Sequence, residues 1–207
     1  MKKYCVFGLN GTIMDRFSLM HKYSIRKLLK KNKIYINNCD IPYFNLPTDN
    51  QILKDYNQFQ NYYYNNLLDI IPETKEAISY LNFNYIKPII HIDKINQPNI
   101  NIIKDKFKNK KIYLNSNEYK LYDKKDIIKI DSNYSSIKNN KKNGYLTVGV
   151  AKYSIHMDIH NINDAYGPTP LSKKLENSRK ILNNAGADYV IDSLDQLPRL
   201  IEKVNYK

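Results

Sequence analysis

Short apolar runs alternate with longer stretches in which apolar residues recur every three or four positions. The first run, Tyr4 to Leu9, ends in Asn10-Gly11-Thr12 and predicts a strand followed by a turn. From Ser18 to Lys31, Leu19, Tyr23, Ile25, Leu28 and Leu29 share one face of a helix, with Arg and Lys opposite. Asn37 to Pro47 reads as a loop broken by Pro42 and Pro47. Thr48 is placed to cap a helix from Asp49 to about Ile71, with Ile52, Leu53, Tyr56, Phe59, Tyr63, Leu67 and Ile70 on its apolar side. Pro72 closes that helix, and Glu73 to Leu81 restarts one. Strands are predicted at Lys87–Ile92, Lys111–Leu114, Ile127–Ile130, Leu146–Ala151 and Asp188–Ile191. Helices are predicted at Pro98–Phe107, at Pro170–Asn184 with Ala185-Gly186 ending it, and at Leu194–Val204 with Asp192 as its cap. Strands alternating with helices specify a parallel sheet covered on both faces.

A length of 207 residues suits one domain, or one domain with a small insertion. Lys plus Arg number 33 against 20 Asp plus Glu, a formal net charge of +13 that favours acidic partners. Asn, Lys, Ile and Tyr dominate throughout, so an AT-rich coding sequence accounts for much of the lysine excess. Cys5 lies in an apolar run and Cys39 in a polar one. Two cysteines without CxxC spacing give no disulfide framework, and a reducing compartment is the default. No apolar run reaches the length of a membrane span, and the opening residues read as a first strand rather than a signal peptide. The expected location is the cytoplasm or the mitochondrial matrix.

Three blocks carry a family resemblance. Val6-Phe7-Gly8-Leu9-Asn10-Gly11-Thr12-Ile13-Met14-Asp15 is similar to the first motif of the haloacid dehalogenase superfamily, with the later Asp typical of its phosphonoacetaldehyde hydrolase branch. Leu46-Pro47-Thr48-Asp49 and the following helix, through Leu81, resemble that branch's cap helix and return to the core. Gly144 to Val204, including Leu146-Thr147-Val148-Gly149-Val150 and Ala185-Gly186-Ala187-Asp188, looks like its closing strand, helix, strand and helix. Together the blocks span more than half the chain. The resemblance implies an α/β, Rossmann-like core with a central parallel sheet, formed by residues 1–14 and 73–207, and a small, shortened helical cap at 15–72.

The same resemblance implies that the chemistry is gone. The family's nucleophile, an aspartate that attacks phosphorus and helps hold magnesium, matches Gly8. The second acid of that motif matches Asn10, where phosphonoacetaldehyde hydrolases often carry Ala. The fourth motif, whose acids complete the magnesium site, matches Asp131-Ser132-Asn133-Tyr134-Ser135-Ser136, so Ser132 and Ser136 replace the acids. A one-residue slip would put Asp131 at the first acid and still leave the second missing. Neutral Ser and Asn are poor magnesium ligands, and magnesium is expected to be lost. The phosphate-binding motif matches His91-Ile92-Asp93, where an Asp repels phosphate. The branch's Schiff-base lysine and the third-motif base have no counterpart.

Other clusters point less sharply. His156 and His160 flank Asp158 at metal-ligand spacing, without a third ligand, so packing roles are favoured. The tyrosine-rich stretch Tyr56 to Tyr64 suits packing better than base stacking, because its Asn and Gln supply no cationic groove. Lys27, Lys30 and Lys31, then Lys108, Lys110 and Lys111, then Lys138, Lys141 and Lys142 are candidate contacts for an acidic partner, against a solvated-face alternative. The preferred reading is a non-enzymatic structural or interaction subunit with protein partners, of a ribonucleoprotein or other large assembly such as a mitochondrial ribosome. The alternatives are a residual hydrolase or phosphate binder using Asp15, Asp93 or Asp131, and a free nucleic-acid-binding module.

Overall fold

The computed structural model describes residues 2–15, 19–35, 49–66, 69–92, 100–108, 111–114, 117–157, 159 and 170–205, without the side chains of 21, 64–66 and 100–102. Six strands form one parallel sheet: β1 (Tyr4–Phe7), β2 (Lys87–Ile90), β3 (Tyr113–Leu114), β4 (Ile127–Asp131), β5 (Leu146–Val150) and β6 (Tyr189–Ile191), in the order β3-β2-β1-β4-β5-β6. The helices are α1 (Leu19–Lys31), α2 (Asn50–Asn66), α3 (Thr74–Phe83), α4 (Ile100–Lys106), α5 (Tyr134–Lys142), α6 (Leu171–Asn184) and α7 (Leu197–Asn205). The chain winds outward from β1 to β3, returns, and continues from β4 on the other side. The strand order therefore reverses between β1 and β4, and a crevice is expected at their carboxyl ends.

Alternation along the strands divides the core. Cys5 and Phe7 of β1, Ile90 of β2, Ile128 and Ile130 of β4 and Val148 and Val150 of β5 face one side. There they meet Ala77, Ile78 and Leu81 of α3, Ile103 of α4, Phe107 just beyond it, and Leu197, Leu200 and Ile201 of α7. Residues one step along point the other way, as the pleat requires. Gly149 lies against Leu182 of α6, where a Cβ would come within 3.0 Å of the Leu182 Cβ. Ile137 of α5 joins Leu182 and Ala185 on that side. Closer to β1, the second face carries Tyr4, Val6, Ile89 and Ile127, packed with Tyr119. Tyr119 comes from a single 3-10 turn, Glu118–Leu121, so among the described residues this part of the sheet is thinly covered.

Helices α1 and α2 pack on each other as a small helical cap inserted between β1 and β2. Lys31 of α1 pairs with Asp55 of α2 at 2.5 Å. Tyr23 stacks on Tyr62 at 6.2 Å and meets Tyr63 at 5.6 Å. Tyr62 and Tyr63 of the tyrosine-rich stretch thus pack against α1. Tyr56 is buried, although Tyr62 keeps about half its surface exposed at 54%. The connections into and out of the pair run side by side: Asp15 N donates to Asp69 O at 3.3 Å and Ile71 N to Ile13 O at 2.9 Å.

Several expected boundaries move. Strand β1 ends at Phe7 rather than Leu9 and β2 at Ile90 rather than Ile92, because the chain turns into the crevice there. Helix α2 stops at Asn66, five residues before Ile71. Thr48 lies outside the described residues, and Asp49 does the capping, its Oδ1 accepting from Gln51 N at 2.8 Å and Ile52 N at 3.0 Å. Asp192 does not cap the last helix. Its carboxylate is gripped by Arg179 Nε at 2.7 Å and Nη2 at 2.6 Å, and a 3-10 turn, Leu194–Gln196, precedes α7. Helix α5, between β4 and β5, has no counterpart in the sequence reading.

Candidate functional site

Gly8 follows β1 at the point where the strand order reverses, and its N–H donates to Ile130 O of β4 at 2.8 Å. Asp131 closes β4 directly opposite. A Cβ on Gly8 would sit 2.6 Å from Cγ and 2.8 Å from Oδ1 of Asp131, and closer still to Oδ2. The Asp131 carboxylate thus fills the space a side chain at position 8 would need. It is held there by its own loop: Oδ1 accepts from Ser132 N at 2.8 Å and Asn133 N at 3.0 Å, and Oδ2 from Ser136 Oγ at 2.6 Å. Asn133 caps α5, its side chain accepting from Ser135 N and Ser136 N. Asp131 therefore lies beside the positive end of α5, where a carboxylate is favoured.

The two serines matched to metal acids have packing roles. Ser136 steadies Asp131, and Ser132 Oγ donates to Asn10 O at 2.8 Å. Gly11 adopts φ +69°, and a Cβ there would come within 2.6 Å of Ser132 Oγ and 2.8 Å of Tyr153 O. Gly11→Ala is accordingly expected to lower stability by about 2 kcal/mol, from left-handed backbone strain plus overpacking. Chemical denaturation compared with Gly144→Ala would check it. Gly144 also has positive φ, at +78°, but its nearest neighbour to a Cβ is a flexible Lys124 carbon at 3.8 Å, so it isolates the backbone contribution.

Magnesium fits poorly here. Among the described residues no three His, Cys, Asp or Glu side chains converge on a metal position. Among the described residues Asp131 is the one carboxylate lining the crevice, and three hydrogen bonds already engage it. Asn10 Oδ1, buried without a hydrogen-bond partner among the described residues, is a single neutral oxygen. A hard divalent cation needs more anionic oxygen than this.

The crevice opens into a cleft of about 650 Å³. Gly8, Asn10, Asp131, Ser132 and Ser136 line one end, with His91 at the rim. Asp93 lies outside the described residues. The other end runs down the second face of the sheet to Lys129 and Tyr145, a region the sequence reading did not single out. Asp15 lies apart, buried at the cap junction, where Met20 N donates to its Oδ1 at 2.8 Å. Burial pushes its carboxyl up to about 7 against that hydrogen bond and the charge of Lys22.

The remaining candidates disperse. His156 sits on a 3-10 turn, and its Nε2 accepts from Tyr134 N at 3.2 Å. Burial, with the Lys22 charge, holds its imidazole down at about 4, so it is a neutral acceptor at the start of α5. His160, Asp158 and Lys110 lie outside the described residues. Lys27, Lys30 and Lys31 belong to α1. Lys108 and Lys111 follow α4 on the first face of the sheet, whereas Lys138, Lys141 and Lys142 ride on α5 on the second. The basic clusters therefore share no common face. Two of their lysines are engaged in ion pairs, Lys31 with Asp55 and Lys141 with Asp188.

No family model matches the chain, and no curated protein does. Solved structures do match. A phosphonoacetaldehyde hydrolase-like protein from Oleispira antarctica superposes with a TM-score of 0.80 at 18% identity, covering 99% of this chain and 93% of that one. A hydrolase from Pseudomonas syringae gives 0.68 at 13% identity, covering 98% and 99%. A conserved haloacid dehalogenase-like protein of unknown function from Agrobacterium tumefaciens gives 0.64 at 13% identity, covering 99% and 100%. With its six-stranded parallel sheet, the strand reversal beside β1 and the cap between β1 and β2, this chain has the haloacid dehalogenase fold, in the form seen in phosphonoacetaldehyde hydrolase-like proteins.

Proposed function

We propose that this chain is a catalytically inactive protein on a hydrolase fold, retained as a structural or interaction subunit of a larger assembly. One observation carries the reading. At the end of β1, where the fold presents its nucleophile, Gly8 has no side chain, and the Asp131 carboxylate occupies the vacated volume. That carboxylate is a weakened nucleophile, because Ser132 N, Asn133 N and Ser136 Oγ already donate to its oxygens. Magnesium is not part of this reading, since Asp131, the one carboxylate among the described lining residues, is already hydrogen-bonded and the other oxygen donors there are neutral.

The basic surface is consistent with an assembly that contains nucleic acid, such as a ribonucleoprotein. Its lysines are spread around the fold, which suits a subunit embedded among several partners better than a free module with one binding face. Among the described residues no helix is long and apolar enough to cross a membrane.

The test is twofold. Purified chain with magnesium is expected to give no hydrolysis of phosphonoacetaldehyde or of generic phosphate monoesters above background. Native extracts fractionated by size are expected to show the chain in a large complex. Turnover abolished by Asp131→Asn, or a chain that runs only as a free monomer in native extract, would refute the proposal.

A further inference from the structure

Lys129 projects from the middle of β4 onto the thinly covered second face of the sheet. It is 7% exposed. Its Nζ lies 4.0 Å from the centroid of the Tyr119 ring and 5.1 Å from that of Tyr145. Among the described residues no carboxylate reaches it within ion-pair distance and no acceptor takes a hydrogen bond from it. Asp131, two residues on along the same face, attracts it only at a distance, and Lys120 repels it. The two rings offer their π faces, which offset part of the ammonium's desolvation but accept no ordinary hydrogen bond. An apolar residue would fill this position at less cost, since buried charge is expensive unless paired.

The ammonium is not sealed in. Lys129, Lys120, Tyr119 and Tyr145 all line the 650 Å³ cleft, and Asn139 and Asn140 of α5 form its polar wall. That volume falls in the range of small-molecule sites, which pair a concave wall with a few convergent polar groups. Among the described residues its three N–H donors have no acceptor, a second ammonium stands nearby, and amide groups flank them. The complement is a small molecule with an anionic head and hydroxyl or carbonyl groups behind it.

We propose that this cleft is a binding site for a small phosphate- or carboxylate-bearing molecule, whose anionic group is held by Lys129 with Lys120. The site lies on the face of the sheet, one pleat step below Asp131, and not at the Gly8 position. It does not depend on whether the old catalytic centre is dead. Burial and Lys120 lower the ammonium's pKa to about 8, and a bound anion would raise it again.

The test uses the full chain without magnesium, at fixed ionic strength, titrated with inorganic phosphate or with malonate against a chloride-matched control. A saturable rise in Tm of about 2–4 °C is expected once the effective anion exceeds its dissociation constant about fivefold. Lys129→Met should abolish that rise, while Lys138→Met, on the exposed side of α5, should keep it. A response to phosphate alone assigns a phosphate-bearing ligand, and one to malonate alone a carboxylate. Should Lys129→Met fail to fold, the wild-type chain answers the same question. Acylation of Lys129, followed by peptide mass spectrometry, should be slowed severalfold by the effective anion, with no slowing at Lys138. Absence of any response beyond chloride, an equal response in Lys129→Met, or unprotected Lys129 would overturn the proposal.

Discussion

Gly8→Asp is expected to cripple folding and restore no activity. The new Cβ would fall well inside van der Waals contact distance of Asp131 Cγ and of both carboxylate oxygens. Asp131 has little freedom to retreat, because two backbone N–H groups and the Ser136 hydroxyl fix it. The new carboxylate would also face an existing one, so either one becomes protonated or both are held at close range unpaired. Overpacking and an unpaired buried charge together should cost about 3–5 kcal/mol, or roughly 10 °C in Tm for a chain of this size. Gly8→Ala separates the contributions, since it keeps the steric clash without the charge, and should cost about 1–3 kcal/mol. The double variant Gly8→Asp with Asp131→Gly removes both conflicts and should recover a good part of the loss, giving a large coupling in a double-mutant cycle. Magnesium-dependent turnover in Gly8→Asp would mean that a metal site survives, because groups that act as a unit do not contribute singly.

Much of this fold was legible because its signals are local. Alternating apolar strands and periodic helices specify a parallel sheet, and all six strands lie where short apolar runs predict them. The motif around Gly8 could be placed at the end of β1, since a strand followed by Gly-Thr is readable from sequence alone. Helix α5 escaped notice because Tyr134–Lys142 carries a single fully buried residue, Ile137, too few for a helical period to register. Asp192 precedes a helix in sequence, as a cap does, but Arg179 of α6 claims it across space. The relation between Gly8 and Asp131 was invisible for a related reason. Reading Asp131 as one slip away from a lost acid treats it along the chain, whereas its role comes from lying across the sheet against Gly8. Lys129 drew no attention among so many lysines. Only the positions of Tyr119 and Tyr145 distinguish it from a solvated one.

Asp15 should make stability fall with rising pH, opposed over part of the window by the depressed His156 imidazole, and Asp15→Asn should isolate the Asp15 contribution. Asp15 is 2% exposed, with φ +53°, where the chain leaves β1 for the cap. Burial raises its pKa to about 7. The groups that oppose this are the Met20 and Leu19 backbone N–H groups, the Lys22 charge and the Tyr63 hydroxyl. Tyr56 also lies close enough to feel the carboxylate's charge. An unfolded aspartate titrates near 3.9. Between about pH 4 and pH 7 the native state therefore holds a proton that the unfolded chain has lost. The Asp15 contribution to stability falls as pH rises through this window and levels off above it. The total decline is on the order of 4 kcal/mol, three pKa units at about 1.4 kcal/mol each. Asparagine resembles the protonated acid, retains an oxygen for Met20 N–H and does not titrate. The variant should match the parent near pH 4, then gain on it steadily, with most of the difference reached by pH 8. Urea denaturation midpoints at half-unit intervals from pH 4 to pH 8.5 would measure this. Parallel curves for the two proteins would show that Asp15 keeps an ordinary pKa. A variant less stable at pH 8 would show that the ionised carboxylate and Lys22 form a net stabilising pair, and that desolvation does not govern this junction.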